Sequence, residues 1–173
     1  PPMSSSLQAR PLVTWDAFTL RLDLDMLELW LNRELPPKVD AIEALHVGGD
    51  GEIIELSADL ERQGVPARVT ARLRDLRLYR RFVGAFVESV HGPLGIPLPL
   101  GIVSHFLDKV PAGLVRLDED DRILLVDLQR WLPVGIDVRV RGARCVGRWL
   151  ELELAPGSVA PRLTAPAPPT DQA

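Results

Sequence analysis

Residues 16–25 alternate strictly. Phe18, Leu20, Leu22 and Leu24 fall on one side, and Thr19, Arg21, Asp23 and Asp25 on the other. A period of two places every second side chain on one face and predicts a half-buried strand. The period then changes. Leu27, Leu31 and Leu35 recur every fourth residue and Trp30 widens the stripe, which predicts a helix. Asp25, with Glu28 three residues on, forms a capping-box-like pair at its start, and Pro36-Pro37 ends it. Residues 41–47 predict another strand, closed by the turn Gly48-Gly49-Asp50-Gly51.

The most consistent pattern follows. Ile54, Leu56, Ala58 and Leu60 alternate with Glu55, Ser57, Asp59 and Glu61. Beyond a turn at 62–66, Ala67, Val69, Ala71 and Leu73 alternate with Arg68, Thr70, Arg72 and Arg74. A hairpin closed around Gly64-Val65 pairs Leu60 with Val69, Ala58 with Ala71 and Leu56 with Leu73. On the other face it pairs Glu61 with Arg68 and Glu55 with Arg74, so two patterns agree on one register. The apolar parity flips between Leu73 and Leu76, which predicts a bulge near Asp75.

Two helices are predicted next. Phe82, Val83, Phe86, Val87 and Val90 form one face of the first, stopped by Gly92-Pro93. Ile102, Val103, Phe106, Leu107 and Val110 repeat that spacing in the second, stopped by Pro111. Strands at 113–117, 122–128, 136–142 and 146–154, with a turn at 118–121, complete the chain. This order predicts an α+β fold: a long curved antiparallel sheet wrapped around amphipathic helices.

Length and composition set the limits. The 173 residues fit one domain over 14–154. Residues 1–13 are expected to be a flexible N-terminal extension, and the Pro/Ala-rich 155–173 a disordered tail. A net charge of −4 and a pI near 5.4 lack the basic footprint of a nucleic-acid binder, so no nucleic-acid partner is expected. Cys145, alone in the chain, excludes an internal disulfide and a multi-cysteine zinc site, and its strand-like setting predicts burial. Location is left as two expectations: the cytoplasm if Met3 is the native start, outside it if a leader was removed.

Candidate chemistry is sparse. His46, His91 and His105 show no metal-ligand spacing. Ser104, in IVSHF, lacks the flanking glycines of a nucleophile elbow. Asp118–Asp121 is acidic without the spacing of a calcium loop. No cofactor, metal or catalytic set is expected, and the chain is not read as an enzyme. Charge is nevertheless segregated. Residues 16–61 hold twelve acids and three bases, and residues 62–81 hold seven arginines and one acid. The hairpin register neutralises part of this. Arg80 and Arg81, at the start of the first predicted helix, oppose its dipole unless an anion binds there.

The stretch Gly92–Gly101, GPLGIPLPLG, carries Leu94, Ile96, Leu98 and Leu100 with only Gly and Pro between them. Exposed together they would exceed the apolar patch a monomer normally shows, so they require a cover. Here the chain resembles the tubular lipid-binding (TULIP-like) superfamily, and within it the small bacterial LmeA-type phospholipid-binding proteins. The resemblance lies in DMLELWLNREL after a strand, GGDGEIIELSADL, RVTARLRDLRL, the run around PLGIVSHFLDKVPAGL, and ILLVDLQRWLP. It implies a bent sheet around a helix, with lipid held in an apolar groove. The expected function is non-catalytic binding of a lipid or other apolar small molecule between sheet and helices. Leu27, Trp30, Leu31, Phe82, Phe86, Ile102, Val103 and Phe106 are the expected lining, and Arg80 and Arg81 lie at the mouth. The partners it allows include a peripheral membrane contact. The alternative is a structural or protein-interaction module, a homodimer, built on residues 92–101.

Overall fold

The computed structural model describes residues 11–34, 42–62, 64–107, 114–132 and 135–160. Their elements run β1 (Val13–Trp15), β2 (Phe18–Asp23), α1 (Leu24–Glu34), β3 (Ile42–Asp50), β4 (Ile53–Arg62), β5 (Val65–Tyr79) and β6 (Phe82–His91). After a tight turn at Pro93–Gly95 come α2 (Leu100–Leu107), β7 (Val115–Asp118), β8 (Ile123–Asp127), β9 (Ile136–Asp137), β10 (Arg139–Val146), β11 (Trp149–Leu154) and β12 (Gly157–Val159). Over the described residues the fold is α+β: a large antiparallel sheet with two helices and a small side sheet of β1, β12 and β9.

The large sheet is forked. Its spine runs β2-β11-β10-β5-β6-β8-β7. β5, at fifteen residues, has β6 along one edge and two neighbours on the other. Residues Val65–Leu73 pair with β4, which pairs with β3, while Leu78 and Tyr79 pair with β10. The split falls at the predicted bulge, where Asp75 takes a left-handed backbone (φ 53°) and the β5–β6 register shifts between Arg74 and Arg77. Gly51, in the β3–β4 turn, closes the fork by exchanging backbone hydrogen bonds with Cys145 of β10, at 3.1 and 2.6 Å. Next to it Gly49 (φ 146°) admits no side chain, because a Cβ there would strike the Ile53 carbonyl and lie 2.9 Å from Cys145 Sγ.

Alternation along each strand builds one apolar face. Ile54, Leu73 and Val87 form one cross-strand row, Val47, Leu56, Ala71 and Val90 the next, and Leu45, Ala58 and Val69 a third. Leu24, Cys145 and Leu150 join the first row in the core, where Cys145 is 2 % exposed. Leu27 of α1 and Leu100 and Val103 of α2 pack against the same core from above β3 and β7.

Several expectations are corrected. The predicted helix at 82–90 is β6. Its spacing satisfies both periods: Val83, Ala85 and Val87 also alternate, and Glu88 is an extra bulged residue that returns Val90 to the inner face. Arg122 holds that bulge, donating to the carbonyls of Val87 (3.1 Å) and Glu88 (2.6 Å). Ladders on both edges of this β-branched, aromatic run decide for strand.

The β4–β5 hairpin forms with its faces as expected but its register two residues tighter. Arg62 pairs with Val65, and Gly64 (φ 78°) allows so tight a turn. Leu60 therefore meets Ala67, Ala58 meets Val69 and Leu56 meets Ala71, and the ion pairs become Asp59–Arg68 and Glu55–Arg72. An even shift leaves every side chain on its own face.

The cap of α1 is Asp23, whose Oδ1 accepts from the amides of Asp25 (3.0 Å) and Met26 (3.2 Å). Residues 157–159, in the stretch expected to be disordered, pair as β12 with β1, and the Trp15 indole donates to the Ala155 carbonyl. Leu35 and residues 108–110, the ends of the two predicted helix stripes, lie outside the described residues.

Candidate functional site

The inner face of the sheet is apolar but loosely covered. No large side chain among the described residues is completely buried. Toward the free end of the β3–β4–β5 arm the inner positions are Leu45, Ala58 and Val69, then Leu60 and Ala67, with Leu56 and Ala71 behind them. All except Leu45 are half-buried. Ala58, Ala67 and Ala71 have short side chains, so this strip is a shallow trough, bounded by α1 along β3 and continued by Val90 and Leu98.

The expected lining residues do not gather around this trough. Leu27 and Val103 pack against the core, and Leu31 is half-buried on α1. Trp30 is exposed and meets Trp131 edge-to-face at 6.0 Å, and Ile102 is exposed on α2. Phe82 and Phe86 leave the lining altogether. In a strand they alternate with Ala85 and Val87 and so occupy the opposite, outer face. There Arg81 lies over Phe82 at 4.8 Å, and Arg74 and Arg122 lie over Phe86 at 4.6 and 5.6 Å. The side chain of Phe106 lies outside the described residues.

Arg80 and Arg81 form the β5–β6 hairpin turn, with Arg80 at φ 58°. The helix N-terminus that would have joined them in holding an anion is absent. Arg80 instead lies over the Tyr79 ring at 5.3 Å. Arg81 pairs with Asp127 at 3.4 Å and donates to Gln129 at 2.8 Å.

The segment after β6 divides. Leu98 and Leu100 turn inward onto the core, and Gly92 is buried against Leu98. Leu94 and Ile96 turn out, 98 % and 58 % exposed. Leu94 holds a left-handed backbone (φ 60°), fixed by hydrogen bonds from Gly92 N to the Ile96 carbonyl (2.7 Å) and from Gly95 N to the Gly92 carbonyl (3.1 Å).

Two polar clusters escape a reading by motif spacing. The first ties α1 to β3. Asn32 donates to the Leu45 carbonyl and accepts from the Leu45 amide, both at 2.7 Å, and Glu28 Oε2 accepts from the Val47 amide at 3.1 Å. His46 Nδ1 meets Glu28 Oε1 at 3.0 Å, and Nε2 meets Asp59 Oδ2 at 2.9 Å. Both ring nitrogens face carboxylates, so the imidazolium is the form that satisfies them. Asp59 and then Glu28 raise the His46 pKa above its ordinary value. Arg68, with His46 behind it, holds the Asp59 carboxyl far below the usual range.

The second cluster centres on Glu151, only 4 % exposed, between Arg144 Nε (2.8 Å) and Arg21 Nε (2.9 Å). Hydrogen bonds and charge from Arg144 and Arg21 depress its pKa against the cost of burial. The alternation Leu150, Glu151, Leu152 facing Arg144 across the Gly147 turn held this pairing in the sequence. The hairpin register needed to read it was missing there.

Among the described residues no group of His, Cys, Asp and Glu is arranged to hold a metal ion, and no helix is long and apolar enough to cross a membrane. No family model, curated protein or solved structure matches this chain.

Proposed function

We propose that the protein binds a lipid or other apolar ligand without catalysis, its acyl part lying in the trough on the inner face of the sheet, which curls around α1 and α2. The observation that carries this reading is the half-buried strip of Leu56, Ala58, Ala67, Val69 and Ala71, apolar throughout and floored by short side chains. An acyl chain laid on it would gain about 0.8 kcal/mol for each CH₂ removed from water. The resemblance to tubular lipid-binding proteins points to the same class of ligand. A second reading, a protein-interaction module or homodimer, rests on Leu94, since a fully exposed leucine held in a left-handed turn is ready for contact.

Native mass spectrometry of the purified full chain separates the two. The first reading expects a monomer carrying a lipid-sized adduct that disappears on denaturation. A lipid-free dimer supports the second, and a lipid-free monomer contradicts both.

A further inference from the structure

The fork of the sheet encloses a polar cleft of ≈ 280 Å³. It opens on the outer face, opposite the trough: Glu151 lines it, while its neighbours Leu150 and Leu152 point into the core. Its arginines arrive by two irregularities. Arg141 is the extra residue of a bulge in β10, between the pairs Val140–Leu154 and Gly142–Glu153. Arg77 ends the shifted stretch that Asp75 begins in β5. Bulges re-aim side chains, and these two deliver guanidinium groups to one place.

A third guanidinium is fixed from below. Buried Glu151 takes only the Nε–H of Arg144, which leaves the terminal NH₂ groups of that side chain without a hydrogen bond among the described residues. Gly142 keeps the floor low, since a Cβ there would sit 3.5 Å from Glu153 Oε2.

Apart from the Arg144–Glu151 pair, opposite charges line this cleft without meeting. Glu52 and Glu153 are part of its wall, yet neither Arg77 nor Arg141 forms an ion pair with them or with any other described residue. A pure anion would face the carboxylates Glu52, Asp75, Glu151 and Glu153. A pure cation would face Arg77, Arg141 and Arg144. Complementarity favours a molecule that carries both signs. The volume lies at the lower limit of ligand pockets, roughly 300–1,000 Å³, and suits a small one.

We propose that the cleft binds a small zwitterion, its oxyanion on Arg77, Arg141 and Arg144 and its ammonium group on Glu52 and Glu153. The site is independent of the apolar trough. The shared chemistry is an oxyanion and an ammonium a few bonds apart, as in a free amino acid or a phosphoethanolamine headgroup. Calorimetric titration of the full chain at low salt with β-alanine and with phosphoethanolamine separates these sources, with inorganic phosphate and ethylammonium as single-charge controls.

At least one zwitterion is expected to bind about tenfold or more tighter than either control. Arg141→Gln and Glu153→Gln are each expected to weaken it by about tenfold or more with an unchanged circular dichroism spectrum. A β-alanine preference assigns a carboxylate ligand, and a phosphoethanolamine preference a phosphate one. The proposal is overturned if neither zwitterion binds, if phosphate alone binds as tightly, or if both variants fold and keep wild-type affinity.

Discussion

His46 meets two carboxylates at once, and its charge state links α1, β3 and β4. Glu28 on α1 and Asp59 on β4 face its two nitrogens, and Arg68 lies beyond Asp59. Its folded pKa is raised above the ordinary 6.5, chiefly by Asp59 and then by Glu28. A raised pKa contributes stability that is complete below the unfolded value and is lost as pH rises through the folded one. The melting temperature should therefore fall as pH rises above about 6.5, and His46→Gln should flatten that part of the profile. Circular-dichroism melts at a series of pH values test this; parallel profiles for the two proteins would refute it. At this scale the sequence was legible where one residue's chemistry decides its place, as for buried Cys145 and the Asp75 bulge. It was not legible where partners come from distant strands, as with Glu151 between Arg21 and Arg144.

Helix α1 does more than cover the core. β3 has β4 on one side only, and an open strand edge invites pairing with another chain. Asn32 and Glu28 stand in for the missing strand by satisfying the Leu45 amide and carbonyl and the Val47 amide. Asn32→Ala should cost about 1–3 kcal/mol, because it leaves half-buried backbone groups unpaired. It should also speed hydrogen exchange at Leu45 relative to the amides of β10 and β11. Unchanged exchange at Leu45 would show that the edge is protected by other means. The α1 stripe was readable because Trp30, three residues after Leu27 and next to Leu31, breaks a period of two and fits a helix. The 82–90 run was not, because its valines and phenylalanines fit both periods and the bulge at Glu88 disguised the alternation.

On the scale of the whole molecule, the forked sheet gives two faces with different chemistry. The inner face is an apolar trough with short alanine side chains, and the outer face carries stacked arginines and the charged cleft at the fork. Local pattern predicts each strand and its inward side. The fork depends on β5 changing neighbours from β4 to β10, a contact between residues sixty or more positions apart. No periodicity records that. The same gap misplaced Phe82 and Phe86, whose face follows from the element they belong to.

The central claim is that the trough takes an acyl chain, and fluorescence titration with a polyene fatty acid tests it most directly. The account predicts saturable one-to-one binding, weakened by about tenfold or more when Ala71→Trp or Ala67→Phe fills the strip, and unchanged by Arg141→Gln on the opposite face. Absence of saturable binding, or wild-type affinity in both folded filling variants, would contradict it.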